Sequence, residues 1–174
     1  MESPDRYRIA LLSSYALALH GFEMLIPSPV PWLRLGLSNI VTLITLYLYG
    51  MKPALMVTMI RVLLGSLLLG TFLGPAFFLS LSGGLAGTLS MGIVSAAFPR
   101  LFSLLGLSLI GALSHNIAQL FFAYLLFVQR IEAVLVVAPV LIAAGTLTGA
   151  VNGIVSRYLI IEIEERTRRL LRKV

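Results

Sequence analysis

The chain has 174 residues, 59% of them hydrophobic and 11% charged, with a mean hydropathy of +1.00. Soluble domains carry about 25% charged residues, so this composition excludes a water-soluble fold and leaves no polar block able to form a second domain. Cysteine is absent, which removes disulfides, thiolate metal sites and cysteine nucleophiles. The net charge of +6 gathers in the tail, where it reads as membrane topology and not as nucleic-acid binding.

The expected architecture is an all-α membrane protein, one integral domain of six transmembrane helices. The first span is Arg6–Ile26. It holds His20 and Glu23 and lacks a small-residue cleavage site after a charged start, so a removable signal peptide is not expected. Ala10, Ser14 and Ala18 recur every four residues on it, a ridge of small side chains that lets another helix approach closely. Such a ridge packs either inside the bundle or on an outward docking face. Pro27, Pro29 and Pro31 stop the helix, and Trp32 beside them reads as an outer-interface anchor.

The second span, Leu35–Tyr49, is short and carries Ser38 and Asn39 near its start. It must stand nearly upright, thin the bilayer or borrow residues from its ends. Gly50 and Lys52-Pro53 mark a turn into the third span, Lys52–Phe72. Arg61 lies near its middle. A guanidinium at the centre of a membrane helix costs about 2.5–3.5 kcal/mol on insertion scales and is normally turned onto a partner, a cavity or a ligand.

Gly74-Pro75 opens the fourth span, Pro75–Phe98, in which Gly83, Gly84, Gly87 and Gly92 signal tight helix packing. The fifth, Ser103–Val128, bears His115, Asn116 and Gln119, of which His115 and Gln119 share a face. The sixth, Ala133–Ile161, bears Asn152, which reads as an interhelical hydrogen-bonding group. Residues 162–174 form a charged extension, with Glu162/Arg166, Glu164/Arg168 and Glu165/Arg169 as i,i+4 pairs in the favourable order.

An even number of spans puts both termini on one side. That side holds Arg6, Arg8, Lys52, Arg100 and the basic tail, against Arg34 and Arg130 opposite, so cytoplasmic termini are expected. With that orientation the polar residues of four helices converge on the outer half of the bilayer. Two structural readings stand beside a ligand site. Arg61 and Glu23 would form a buried ion pair, and His115, Asn116 and Gln119 would bond neighbouring helices.

Several chemistries are disfavoured. Prenyl-chain synthases need paired aspartate clusters for magnesium diphosphate, and the one aspartate is Asp5. His-Glu-x-x-His is absent, since the histidines are His20 and His115 alone. No nucleotide-binding motif is present, so any ATP-driven step belongs to another subunit. No metal or cofactor is expected.

Leu35-Gly36-Leu37-Ser38-Asn39-Ile40, Arg61-Val62-Leu63-Leu64-Gly65-Ser66, Ser80-Leu81-Ser82-Gly83-Gly84 and Gly111-Ala112-Leu113-Ser114-His115-Asn116-Ile117-Ala118-Gln119 resemble the Gx transporter family, whose members are often labelled heptaprenyl diphosphate synthase component I. The resemblance covers about Ile9 to Ile154. The family looks related to the substrate-binding S components of energy-coupling factor (ECF) transporters, which are small six-helix membrane proteins. That likeness implies a small molecule held in the outer half beneath the first connecting loop. It also implies that Ala10, Ser14 and Ala18 dock on a transmembrane coupling subunit driven by two ATPases.

The expected function is capture of a small anionic or polar-aromatic metabolite for uptake. Arg61 would be the charge anchor, with Asn39, His115, Asn116 and Gln119 as orienting partners. Glu23 would balance Arg61 in the empty site, and Trp32 with the proline-rich loop would close it. The alternative is a non-catalytic membrane partner in prenyl diphosphate or quinone metabolism that holds a diphosphate headgroup or recruits a soluble synthase. A membrane enzyme with His115 as general base is the weakest reading, because no second catalytic group is well placed.

Overall fold

A computed structural model describes residues 3–25, 36–99 and 101–171. Trp32, the three prolines beside it, Arg34 and Arg100 lie outside the described residues. The described chain is helical throughout: α1 (Ser3–Leu25), α2 (Leu37–Tyr49), α3 (Met51–Leu68), α4 (Pro75–Ala97), α5 (Leu104–Ala123) continued by a π-helical turn at Tyr124–Val128, and α6 (Ile131–Leu171). Among them α3, α4, α5 with its π turn, and α6 are long and apolar enough to cross a membrane. α1 has the length but carries Arg6, Arg8, His20 and Glu23, and α2 is apolar with 13 residues.

The boundaries follow local chemistry. α3 ends at Leu68, four residues before the expected Phe72. Gly70 (φ 65°) and Leu73 (φ 59°) turn the chain there, and the ring of Phe72 packs edge-on against Phe77 at 5.2 Å. An apolar turn of this kind has the hydropathy of helix and not its backbone. Pro75 starts α4 at a position where its missing N–H costs nothing. The Ser103 side chain accepts from Gly106 N–H and caps α5. Gln129, in the left-handed conformation, ends the π turn.

α6 runs unbroken for 41 residues. At 1.5 Å per residue it is about 60 Å long, twice a hydrocarbon core of about 30 Å. Its final turns are therefore too long to be enclosed and carry the expected ion pairs. Arg166 Nε donates to Glu162 Oε1 at 2.7 Å, and Arg169 Nη2 to Glu165 Oε2 at 3.2 Å.

α2 is the innermost helix. It touches α1, α3, α4 and α6, and Ser38 together with every residue from Ile40 to Leu46 is buried. Its middle is thus enclosed by protein, while Tyr47 and Tyr49 at its end are exposed. α5 lies between α4 and α6, its two most extensive neighbours. Lipid offers helices no hydrophobic reason to associate, so close backbone approach and interhelical hydrogen bonds must hold them. Both are present. A Cβ at Gly87 would sit 2.9 Å from the carbonyl oxygen of Gly111, and one at Gly153 would sit 2.8 Å from the Cα of Leu105. Ser108 Oγ donates to the Gly149 carbonyl at 2.7 Å.

Away from the polar end, Leu43, Leu46, Ala54, Met91 and Leu107 form a closed apolar layer. Between the two ends Thr42, Thr58 and Thr88 join α2, α3 and α4 through their hydroxyls, at 3.4 and 2.9 Å.

Candidate functional site

A cavity of about 310 Å³ opens at the end of the bundle where α1 finishes and α2 begins. It is lined by Glu23 from α1, Asn39 from α2, Arg61 from α3, and His115, Asn116 and Gln119 from α5. These residues, selected from the sequence as site candidates, are thus brought to one space by four helices. Trp32, the proposed lid residue, is outside the described residues. Sequence reasoning did not include Ser80, Thr148, Gly36 or Gly145 in the lining, and it assigned Asn152 to helix–helix bonding alone. Asn152 does both, since its Nδ2 donates to the Gly36 carbonyl at 3.1 Å while the residue faces the cavity.

The site is built from the glycine before α2. Gly36 adopts φ 70°, a left-handed conformation that disfavours any side chain. Its N–H donates to Glu23 Oε1, and its carbonyl accepts from Asn39 N–H at 2.8 Å and from Asn152. One peptide region therefore ties α1, α2 and α6 together at the rim. A Cβ on Gly36 would meet the amide nitrogens of Asn39 and Asn152, each at 3.1 Å. Deeper in, Arg61 Nη1 donates to Ser38 Oγ. Arg61, Glu23, His20 and Ser38 are all buried.

Glycines seat the polar side chains. Cβ atoms built on Gly65, Gly83, Gly84 and Gly145 would meet, respectively, the His20 ring at 3.0 Å, the His115 ring at 2.7 Å, Arg61 Nη2 at 3.4 Å and Asn116 Nδ2 at 1.8 Å. The Asn116 amide also donates to the Leu141 carbonyl at 2.7 Å. Its nitrogen thus clamps α5 to α6. The glycines of α6 recur at four-residue spacing through Gly145, Gly149 and Gly153, a signal in the sequence that locates the α5-facing side of that helix.

Among the described residues the lining offers one guanidinium, one carboxylate, two imidazoles, several primary amides and hydroxyls, within walls completed by Leu79, Leu141, Pro75 and Ala112. Small-molecule sites are concave, about 300–1,000 Å³, and set a few convergent polar groups in apolar surroundings. This cavity lies at the small end of that range. Beneath it, Asn39, His115 and Asn152 also border a space of about 20 Å³ that Thr88 and Ser108 complete. That is room for one water molecule.

Ala10, Ser14 and Ala18 are exposed, on the side of α1 away from buried Ile9, Ser13, Ala16, His20 and Glu23. Of the two placements open to this ridge, the outward one is found, and the Ser14 hydroxyl satisfies itself on the Ala10 carbonyl at 2.9 Å. The Arg166 guanidinium, through its hydrogen bond and its charge, holds the Glu162 carboxyl below the usual carboxylate range.

An all-α bundle with membrane-length helices around a polar cavity defines the class. The chain belongs to the heptaprenyl diphosphate synthase component I family, whose model matches residues 12–159, a segment that contains every cavity residue named above. No curated protein and no solved structure matches the chain.

Proposed function

We propose that the protein is a substrate-capture membrane subunit, similar to ECF S components, that takes up a small anionic or polar-aromatic metabolite and is energised by a separate module. In this reading all six helices cross the membrane as one integral domain, both termini are cytoplasmic, and the cavity opens outward. Arg61 anchors the negative group of the ligand. Asn39, His115, Asn116 and Gln119 orient it, Glu23 balances Arg61 when the site is empty, and Trp32 closes over it. The outward face of α1 around Ala10, Ser14 and Ala18 meets the coupling subunit, which carries the ATPases. The chain performs no catalysis.

The observation that carries this reading is the meeting of six polar residues from four helices around one cavity. A guanidinium in an apolar helix is expensive, and Arg61 lies on the wall of a cavity that can admit an anionic group. Native mass spectrometry of gently extracted protein tests it: a bound small polar molecule supports the reading, and a prenyl lipid in its place removes it.

The family match favours a second reading, in which the protein is the non-catalytic membrane component of a prenyl diphosphate or quinone system. There Arg61 would hold a diphosphate headgroup, and the charged end of α6 would recruit a soluble synthase. Co-purification of a prenyl diphosphate, or of a soluble synthase that is lost when the charged end of α6 is neutralised, would select it.

A further inference from the structure

The end of the bundle opposite the cavity holds a second concavity. It is about 260 Å³ and lies between the start of α1 and the α2–α3 turn. Two cations border it, Arg8 from α1 and Lys52 from the first turn of α3, and among the described residues no carboxylate does. The Arg8 guanidinium stands 5.8 Å from the ring centroid of Tyr49, within cation–π range. That contact holds one charge in place at the rim. The wall below is apolar, made by Leu12, Pro53 and Met56. Arg8, Lys52, Tyr49 and Met56 are exposed on the outer surface of the bundle, and the first turn of α3 has no side-chain cap competing for its N–H groups.

We propose that this concavity binds the phosphate headgroup of an anionic membrane lipid. Two positive charges, one of them held by Tyr49, with no carboxylate beside them among the described residues, select an anion. A tyrosine at the rim is the residue type that settles at headgroup depth. The apolar wall directly beneath receives the first carbons of an acyl chain, which a free phosphate does not possess. Basic pockets between membrane helices, on the side where cytoplasmic charge collects, are the known form of headgroup recognition. The site is independent of the cavity at the other end, and its occupant would fix α1 against the α2–α3 turn.

The test uses purified full-length protein in a neutral detergent, titrated with phosphatidylglycerol, with phosphatidylcholine of the same chains, or with inorganic phosphate, and read as bound adducts by native mass spectrometry. Wild type should hold phosphatidylglycerol at least about tenfold more tightly than phosphatidylcholine, and inorganic phosphate should not displace it. Arg8→Gln combined with Lys52→Gln should abolish that preference, whereas Arg168→Gln combined with Arg169→Gln in the α6 tail should leave it intact. Equal retention of the two lipids by wild type overturns the proposal without recourse to any variant. Displacement by inorganic phosphate overturns the lipid assignment. An unchanged preference in the Arg8/Lys52 variant, with its helical circular dichroism intact, places lipid binding elsewhere and also overturns it.

Discussion

At the cavity end, Gly65, Gly83, Gly84 and Gly145 face His20, His115, Arg61 and Asn116; towards the far end, Gly92 and Gly111 face the thioethers of Met51 and Met91. The notch is the same in both halves, and its occupants differ. A methionine fills its notch completely and adapts its shape, so the far half closes into the layer around Leu43 and Leu107. Imidazole, guanidinium and amide groups need hydrogen-bond partners in fixed directions. Ser38, Gly36 and the Leu141 carbonyl take up bonds from Arg61, Asn152 and Asn116, and space remains between these groups. Small residues bring the helices together at both ends, and the chemistry seated against them decides which end becomes a site.

Filling matched notches should separate the two halves by their stability. Gly145→Ala places a methyl where the anchored Asn116 amide now lies, and either the bond to Leu141 or the α5–α6 distance must give. The expected loss is about 1–3 kcal/mol, read as a lower thermal midpoint in detergent. Gly87→Ala, which meets backbone, should cost a similar amount. Next comes Thr58→Val, which removes the hydroxyl linking Thr42 to Thr88. Interhelical hydrogen bonds in membrane proteins average about 0.6 kcal/mol, so a loss of that size is expected.

Gly92→Ala should change stability little. The methyl meets the Met51 sulfur at 2.6 Å, but a flexible thioether can swing aside, and alanine's helix propensity gains up to about 1 kcal/mol over glycine. If Gly92→Ala destabilises as much as Gly145→Ala, the occupants of the notches do not distinguish the two halves.

The smallest effect lies in the tail of α6. Glu162, held below the usual carboxylate range by Arg166, supports the helix end fully above that range. The support disappears as pH falls through the lowered value. Circular dichroism should show a slight acid-induced loss of helix, and Arg166→Gln should remove that pH dependence while leaving both ends of the bundle intact.

The helices and the polar cluster were legible because their signals are local. Prolines and glycines punctuate the chain near Pro75 and Gly50, and polar residues stand out in apolar segments. Arg61, His115 and Asn116 needed only a depth argument to be grouped. The early end of α3 was hidden because Phe72 and Leu73 remain apolar in a turn that packs on Phe77. The outward placement of Ala10, Ser14 and Ala18 was equally hidden, since spacing defines a stripe on a helix and not the direction it faces. Ser80 and Thr148 joined the site through packing at long sequence separation, which one sequence does not display.

The central claim is that the cavity end captures a ligand through Arg61 while the rest of the bundle serves as scaffold. Calorimetric titration of the co-purified ligand onto wild type, Arg61→Ala and Thr58→Val tests it most directly. The account predicts that Arg61→Ala, still folded, loses at least about 100-fold in affinity, as expected when a charged anchor worth about 3 kcal/mol is removed, whereas Thr58→Val stays within about twofold of wild type. Undiminished binding to folded Arg61→Ala would contradict it and reduce Arg61 to a structural member of the bundle.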